Sequence, residues 1–431
     1  MIEDQDVNSV LREYAITPVV SRCAGGRWLK CHLALLPAAV IWTMTAAPTP
    51  AQTKYDPGAS DTEIKIGNIS PYSGPASAYG MIGRTIAAYF TKINADGGIN
   101  GRRITFISYD DGYSPPKTVE QARKLVESDE VLLIFQSIGT PTNSAIQKYM
   151  NAKKVPQLFI ATGATKFGDP QNFPWTMGWQ PSYQSEARAF ASYLIEHHPN
   201  GTIGALYQND DYGKDFLKGM KDGLGGKIPI ISEQAYETTD ATLSSQIISL
   251  KASGASIFFD VTTPKFAAQA IAKVADLGWK PVHVLNSVSN SVGAVLKPAG
   301  LENAKGILTT AFIRDPTDPA WKSDPGFIAW SIFMDKYFPD GDRTSSYTVY
   351  GYSAAQTLVQ VLRQCGDDLS RENVMRQAAR LSNLQLPMLL PGIGVSTAPD
   401  DYFPIEQMQM QRFNGTSWEL FGPVLSGRNN M

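Results

Sequence analysis

Five consecutive apolar residues, 131–135 (VLLIF), constrain this chain more than any other stretch. A run of strand length with no polar side suits a strand buried on both faces, as in a parallel sheet. Parallel strands need long crossovers, usually helical, so helices are required around it. The sequence supplies them. Residues 63–80 (EIKIGNISPYSGPASAYG) open as a strand through Ile64, Ile66 and Ile69 and break at Pro71, Gly74 and Pro75. A helix over 79–94 follows, with Ile82, Ile86, Tyr89, Phe90 and Ile93 on one face. This strand–loop–helix either turns unpaired N–H groups toward the rim of a sheet, where an anion such as a ligand carboxylate is favoured, or is an ordinary connection; the stretch alone leaves both open.

Strands are predicted at 103–109 and 157–161, and helices at 116–127 and 142–152. A second series follows: helix 182–197 with Ser182 as N-cap and Glu186 nearby, strand 202–207, helix 212–224, strand 228–236, helix 241–252, strand 256–261, helix 264–277 and strand 282–285. A short helix over 292–297 and a strand over 306–311 complete it. The pattern then changes. Residues 313–326 are rich in Pro and Asp and read as a crossing, three helices are expected at 327–337, 345–364 and 371–381, and 386–402 reads as a loop. Residues 405–421 alternate like a hairpin turning at Asn414-Gly415. Two β/α series of similar size predict an α/β protein of two lobes, each a mostly parallel sheet flanked by helices.

The 431 residues suffice for two domains, with 43% hydrophobic residues to fill their cores. Charge is nearly balanced, 38 basic against 40 acidic, and no clustered basic surface points to nucleic acid. Arg27 and Lys30 precede the apolar run 33–44, and small residues follow over 45–51. That order predicts a cleaved secretory leader over 1–51, longer than most and suggesting an over-extended start. The run is too short to span a bilayer. Of three cysteines, Cys23 and Cys31 fall in the leader and Cys365 sits among apolar neighbours, so no disulfide and no cysteine metal site is expected.

Catalytic signatures are missing: there is no GxSxG, GxxxxGK[ST], GxGxxG, HExxH or CxxC. His197-His198 reads as a solvated helix end, His283 as structural, and Asp110-Asp111 and Asp210-Asp211 as turn or N-cap residues. No metal and no cofactor is expected.

As a set, residues 63–80, 93–101 (INADGGING), Tyr109-Asp110-Asp111, Ser137 and Thr140, Gly163-Ala164-Thr165 and Asp211-Tyr212-Gly213 resemble the periplasmic leucine/isoleucine/valine-binding proteins. These are solute-binding components of ABC importers with the type I periplasmic-binding fold. The resemblance covers nearly the whole chain after the leader. It implies two lobes joined by three hinge crossings, 61–181 with 312–403 and 182–311 with 404–431, and a ligand in the cleft. By position, Ser137 and Thr165 would offer hydroxyls to a ligand carboxylate, helped by backbone N–H groups near Gly163. Tyr79 and Tyr212 would line the pocket, with Thr262, Ser287 and Tyr347 at further pocket positions.

The acidic residue that holds an α-ammonium in amino-acid binders falls near Asn286-Ser287, where there is no carboxylate; Asp211 or Asp260 would have to replace it. The stretches 175–180 and 207–213 look like a subgroup that imports aromatic and related carboxylates, in which Trp179 and Tyr212 would stack on a ring. The expected function is capture of a small carboxylate in the periplasm by a monomer that docks on ABC permease subunits. The alternatives are a binder of branched-chain amino acids or short amides, a ligand-sensing regulator on the same fold, and an enzyme.

Overall fold

The computed structural model describes residues 54–426. The expected leader, with Cys23 and Cys31, lies outside the described residues. Strand β1 (Glu63–Ser70) leads into helix α1 (Gly80–Ala95), followed by β2 (Arg103–Asp110), α2 (Pro115–Arg123), β3 (Leu133–Phe135), α3 (Thr140–Lys153), β4 (Gln157–Ile160) and β5 (Thr176–Gly178). These strands form one parallel sheet in the order β2-β1-β3-β4-β5. The run 131–135 is buried throughout.

The chain then crosses into α4 (Tyr183–His197), β6 (Ile203–Gln208), α5 (Asp211–Leu224), β7 (Ile230–Tyr236), α6 (Ser244–Ala252), β8 (Ile257–Val261), α7 (Pro264–Asp276), β9 (Val282–Leu285) and β10 (Leu308–Ala311). It crosses back for α8 (Pro325–Tyr337), α9 (Ser346–Cys365) and α10 (Arg371–Ala378). A third crossing delivers the hairpin β11 (Gln407–Phe413) and β12 (Trp418–Ser426). The second sheet runs β12-β11-β10-β9-β8-β6-β7, parallel except for β11 and β12. The protein is thus α/β, with two sheet-based halves and three crossings between them.

Helices α1 and α9 bury their apolar faces in the core of the first half, where Tyr89 meets Tyr352 edge-on at 5.1 Å. Gly351 lets them approach, since a Cβ there would lie 2.8 Å from the Ile82 carbonyl. Expected caps form: Ser182 Oγ accepts the Ser185 N–H, and Asp210 accepts those of Tyr212 and Gly213. Asp110 and Asp111 serve turns, accepting from Ser73 and Gly112 and from Tyr113 and Thr118. Cys365 is buried and its thiol is pushed up to about 12, chiefly by burial.

Candidate functional site

The first turn of an α-helix leaves N–H groups without intrahelical partners. At the start of α3 this is unrelieved. Gly139 has no side chain to cap with, Pro141 has no N–H, and the Thr140 and Thr142 amides meet no acceptor among the described residues. Gly139 sits at φ +102, and a Cβ would fall 2.4 Å from the Tyr113 ring. The carboxyl ends of β3 and β4 aim this helix start into a cavity between the halves. Gly139, Thr140, Ile138 and Ala161 form its wall on the first half.

Aromatic rings form most of the rest. Tyr79 and Tyr347, from the starts of α1 and α9, stand edge-to-face at 5.2 Å. Tyr113, Tyr183, Tyr212, Tyr350, Phe312 and Val288 continue the lining, with Gln180, Thr263, Ser287, Asn290 and Thr310 as polar points. Among the described residues, no Asp, Glu, Lys or Arg lines it. Burial pushes the Tyr183 hydroxyl up to about 12 and those of Tyr79 and Tyr212 well above the ordinary value, so all three stay neutral. About 60 Å³ is open to water-sized molecules.

The halves are laced together at the rim. Tyr347 Oη donates to the Val288 carbonyl at 2.9 Å, Gly293 N–H to Thr344 O at 2.9 Å, and Ser291 and Ser345 hydroxyls meet at 3.3 Å. Two residues beside the cavity hold strained backbone, Tyr113 at φ 62 and Gln136 at φ 53. Such strain concentrates at functional sites.

Four expected residues reach the cavity: Tyr79, Tyr212, Ser287 and Tyr347. Five do not line it. Ser137 is fully buried and its hydroxyl turns back to Asn143 Oδ1 at 2.7 Å. Thr165 gives both its N–H and its hydroxyl to Asp215, at 2.8 and 2.9 Å. Thr262 Oγ1 donates to Asp260, leaving its neighbour Thr263 at the wall. Gly163 is a spacer, because a Cβ there would lie 2.3 Å from the Pro181 carbonyl. Trp179 is buried behind the lining, edge-on to Tyr350 at 4.8 Å with its indole N–H on Thr357, so it braces the wall instead of stacking on a ligand.

Neither alternative carboxylate lines the cavity. Asp211 pairs with Lys166 at the surface, and Asp260 is buried against His283 and Thr262. Tyr113, Tyr183, Tyr350 and Gln180 were not expected at the site. Tyr350 was within reach of sequence reasoning, since it follows Tyr347 by three residues and shares its helix face.

The periplasmic binding protein family model matches residues 63–417. This chain belongs to that family. Its sequence relatives are binding proteins of the leucine/isoleucine/valine type. It is 26% identical over 325 residues to Leu/Ile/Val-binding protein homolog 1 of Brucella abortus, covering 73% of this chain and 82% of the relative. Its fold matches that of a branched chain amino acid ABC transporter protein from Thermus thermophilus with bound valine. There the TM-score is 0.77 at 15% identity, over 85% of this chain and 97% of the other. It also matches a solute binding protein from Rhodopseudomonas palustris BisB5 in complex with 3,4-dihydroxy benzoic acid. That TM-score is 0.72 at 16% identity, over 85% and 98%. The protein is a solute-binding protein of this family and not an enzyme.

Proposed function

We propose that this binding protein captures a small carboxylate with an aromatic or apolar body between its halves and presents it, as a monomer, to its permease. The observation that carries this is an uncharged, tyrosine-lined cavity with the open start of α3 in one wall. Unpaired N–H groups and the helix dipole favour an anion there, and the rings supply apolar area and neutral hydroxyls. Bound valine and bound dihydroxybenzoate in the two structural relatives are both carboxylates of this size. With no acidic side chain in the lining, a free ammonium is poorly served. A branched-chain amino acid is the second reading, favoured by one carboxylate, Glu186, that stands just behind Ser287.

Closure would move residues 61–181 with 312–403 against 182–311 with 404–431, favoured by ligand contacts made only in the closed state. Export through a leader over 1–51 belongs to the same reading; the mass of the protein recovered from a periplasmic fraction tests it.

A thermal-shift screen of the full chain against benzoates, phenylpropenoates, aliphatic acids, amino acids and short amides tests the ligand class. A ligand at a hundred times its dissociation constant adds about 2.7 kcal/mol. Thr140→Asp is the companion variant. An acidic residue suits the dipole of a first helical turn, but Thr140 is buried against the Thr162 hydroxyl, so circular dichroism first checks the fold; in the folded variant carboxylate affinity should fall at least tenfold. Unchanged affinity would remove α3 from the site.

A further inference from the structure

Ser287 opens the short turn after β9 and lines the cavity. Behind it on α4 stands Glu186, only 2% exposed. One of its carboxylate oxygens accepts the Ser287 N–H at 2.7 Å and the other accepts the Ser287 hydroxyl, also at 2.7 Å. The turn is held from other sides as well. Asn286 Nδ2 donates to the Asp260 and Thr262 carbonyls, and Tyr347 holds the Val288 carbonyl from the opposite half. Ser287 has two protons to give, on its amide and its hydroxyl, and both go to Glu186. An ionised carboxylate can only accept, so the hydroxyl cannot reverse. What remains for the cavity is oxygen lone pairs.

We propose that Glu186 sets the specificity of this site by fixing Ser287 as a hydrogen-bond acceptor, so that the preferred carboxylate ligand carries a donor, a hydroxyl or an ammonium, where it meets this wall. The inference rests on the cavity being the ligand site. Glu186 is a positioning residue that touches no ligand itself. A ligand bringing an acceptor to Ser287 sets lone pair against lone pair in a site from which water is displaced, and polar mismatches of this kind discriminate more strongly than a change in apolar size.

Glu186→Gln keeps the shape and reverses the chemistry. The amide oxygen still accepts the Ser287 N–H, which fixes the amide's orientation. Its nitrogen then donates to Ser287 Oγ, whose proton is released toward the cavity. Titration calorimetry on the full chain at pH 8.5, above the value of about 7 to which burial pushes the Glu186 carboxyl, reads the effect. Two sets of probes separate the donors: the three hydroxybenzoates against their methyl ethers, and leucine against 4-methylpentanoate.

The wild type should favour the donor-bearing member of at least one pair by about tenfold, the worth of one hydrogen bond. E186Q should lower or invert that ratio by a similar factor. Ser287→Ala should abolish the preference with Glu186 intact, and it carries the test if E186Q does not fold. A ratio unchanged in both variants, or a wild type that prefers the ethers and 4-methylpentanoate, overturns the inference alone. If no carboxylate binds at all, the function reading falls and this inference with it.

Discussion

The Glu186 carboxyl is pushed from an ordinary 4.5 to about 7, chiefly because burial penalises its charged form, while hydrogen bonds from Ser287 and Thr310 pull the other way. Asp315 moves in the same direction, from 3.8 to about 6, and again burial is the main cause. The native state therefore holds these protons more tightly than the unfolded chain does. Their contribution to stability is fully present below their unfolded values and is lost as pH rises toward 6 and 7. For Glu186 the loss amounts to about 3 kcal/mol. Urea unfolding of E186Q should show a flatter decline between pH 5 and pH 8 than the wild type; parallel slopes would mean that Glu186 is not held as described. Sequence patterning pointed to Glu186 only as an acid in a first helical turn. Its partner lies 101 residues away, and nothing local announces such a bond. The same limit explains Ser137. Its place at the end of a buried strand was legible, but the direction of its hydroxyl depends on Asn143, which turns back from α3 to receive it.

Elements were more legible than side-chain directions because apolar periodicity is a property of the chain itself. The strands around 131–135 and 282–285 and the amphipathic helices α1, α5 and α7 follow their patterns closely. β5 escaped, since the three residues of Thr176–Gly178 carry no alternation and pair only because β4 lies beside them. The predicted helix 116–127 changes winding at Lys124–Ser128, where it widens into the i→i+5 turn of a π-helix before the chain reaches Val131. The α1–α9 contact is not encoded by period alone; it depends on the missing side chain at Gly351. Gly351→Ala would drive a Cβ to within 2.8 Å of the Ile82 carbonyl and 3.0 Å of Thr85 Cβ. Overpacking costs about 1–3 kcal/mol, and the better helix propensity of alanine returns about 1 kcal/mol. The expected net loss is about 0–2 kcal/mol, readable as a lower unfolding midpoint in urea at an unchanged slope. A stabilising result would show that the two helices can separate freely.

At the scale of the whole molecule, a ligand larger than a few waters exceeds the room in the cavity, so the entry that follows from the proposed function is by parting of the halves. The Ser291 and Ser345 hydroxyls, 3.3 Å apart on opposite halves, offer a place to prevent it. In the double variant Ser291→Cys and Ser345→Cys, oxidation should slow ligand association and release at least a hundredfold in stopped-flow traces, and reduction should restore both. Cys365 is the one free thiol among the described residues and is buried, so mispairing there is disfavoured. Kinetics insensitive to the disulfide would place the entrance elsewhere.

The three crossings have a further consequence in time. The first core needs α9, from Ser346–Cys365, and the second sheet needs β11 and β12, from Gln407–Phe413 and Trp418–Ser426. A ribosome delivers these segments late, so neither half can complete itself while most of the chain is being made. For much of its synthesis the polypeptide holds parallel strands whose covering helix and edge partners do not yet exist. The export proposed above would gain from such delay, because a topology that closes late keeps a chain threadable through a narrow channel nearly to its last hairpin.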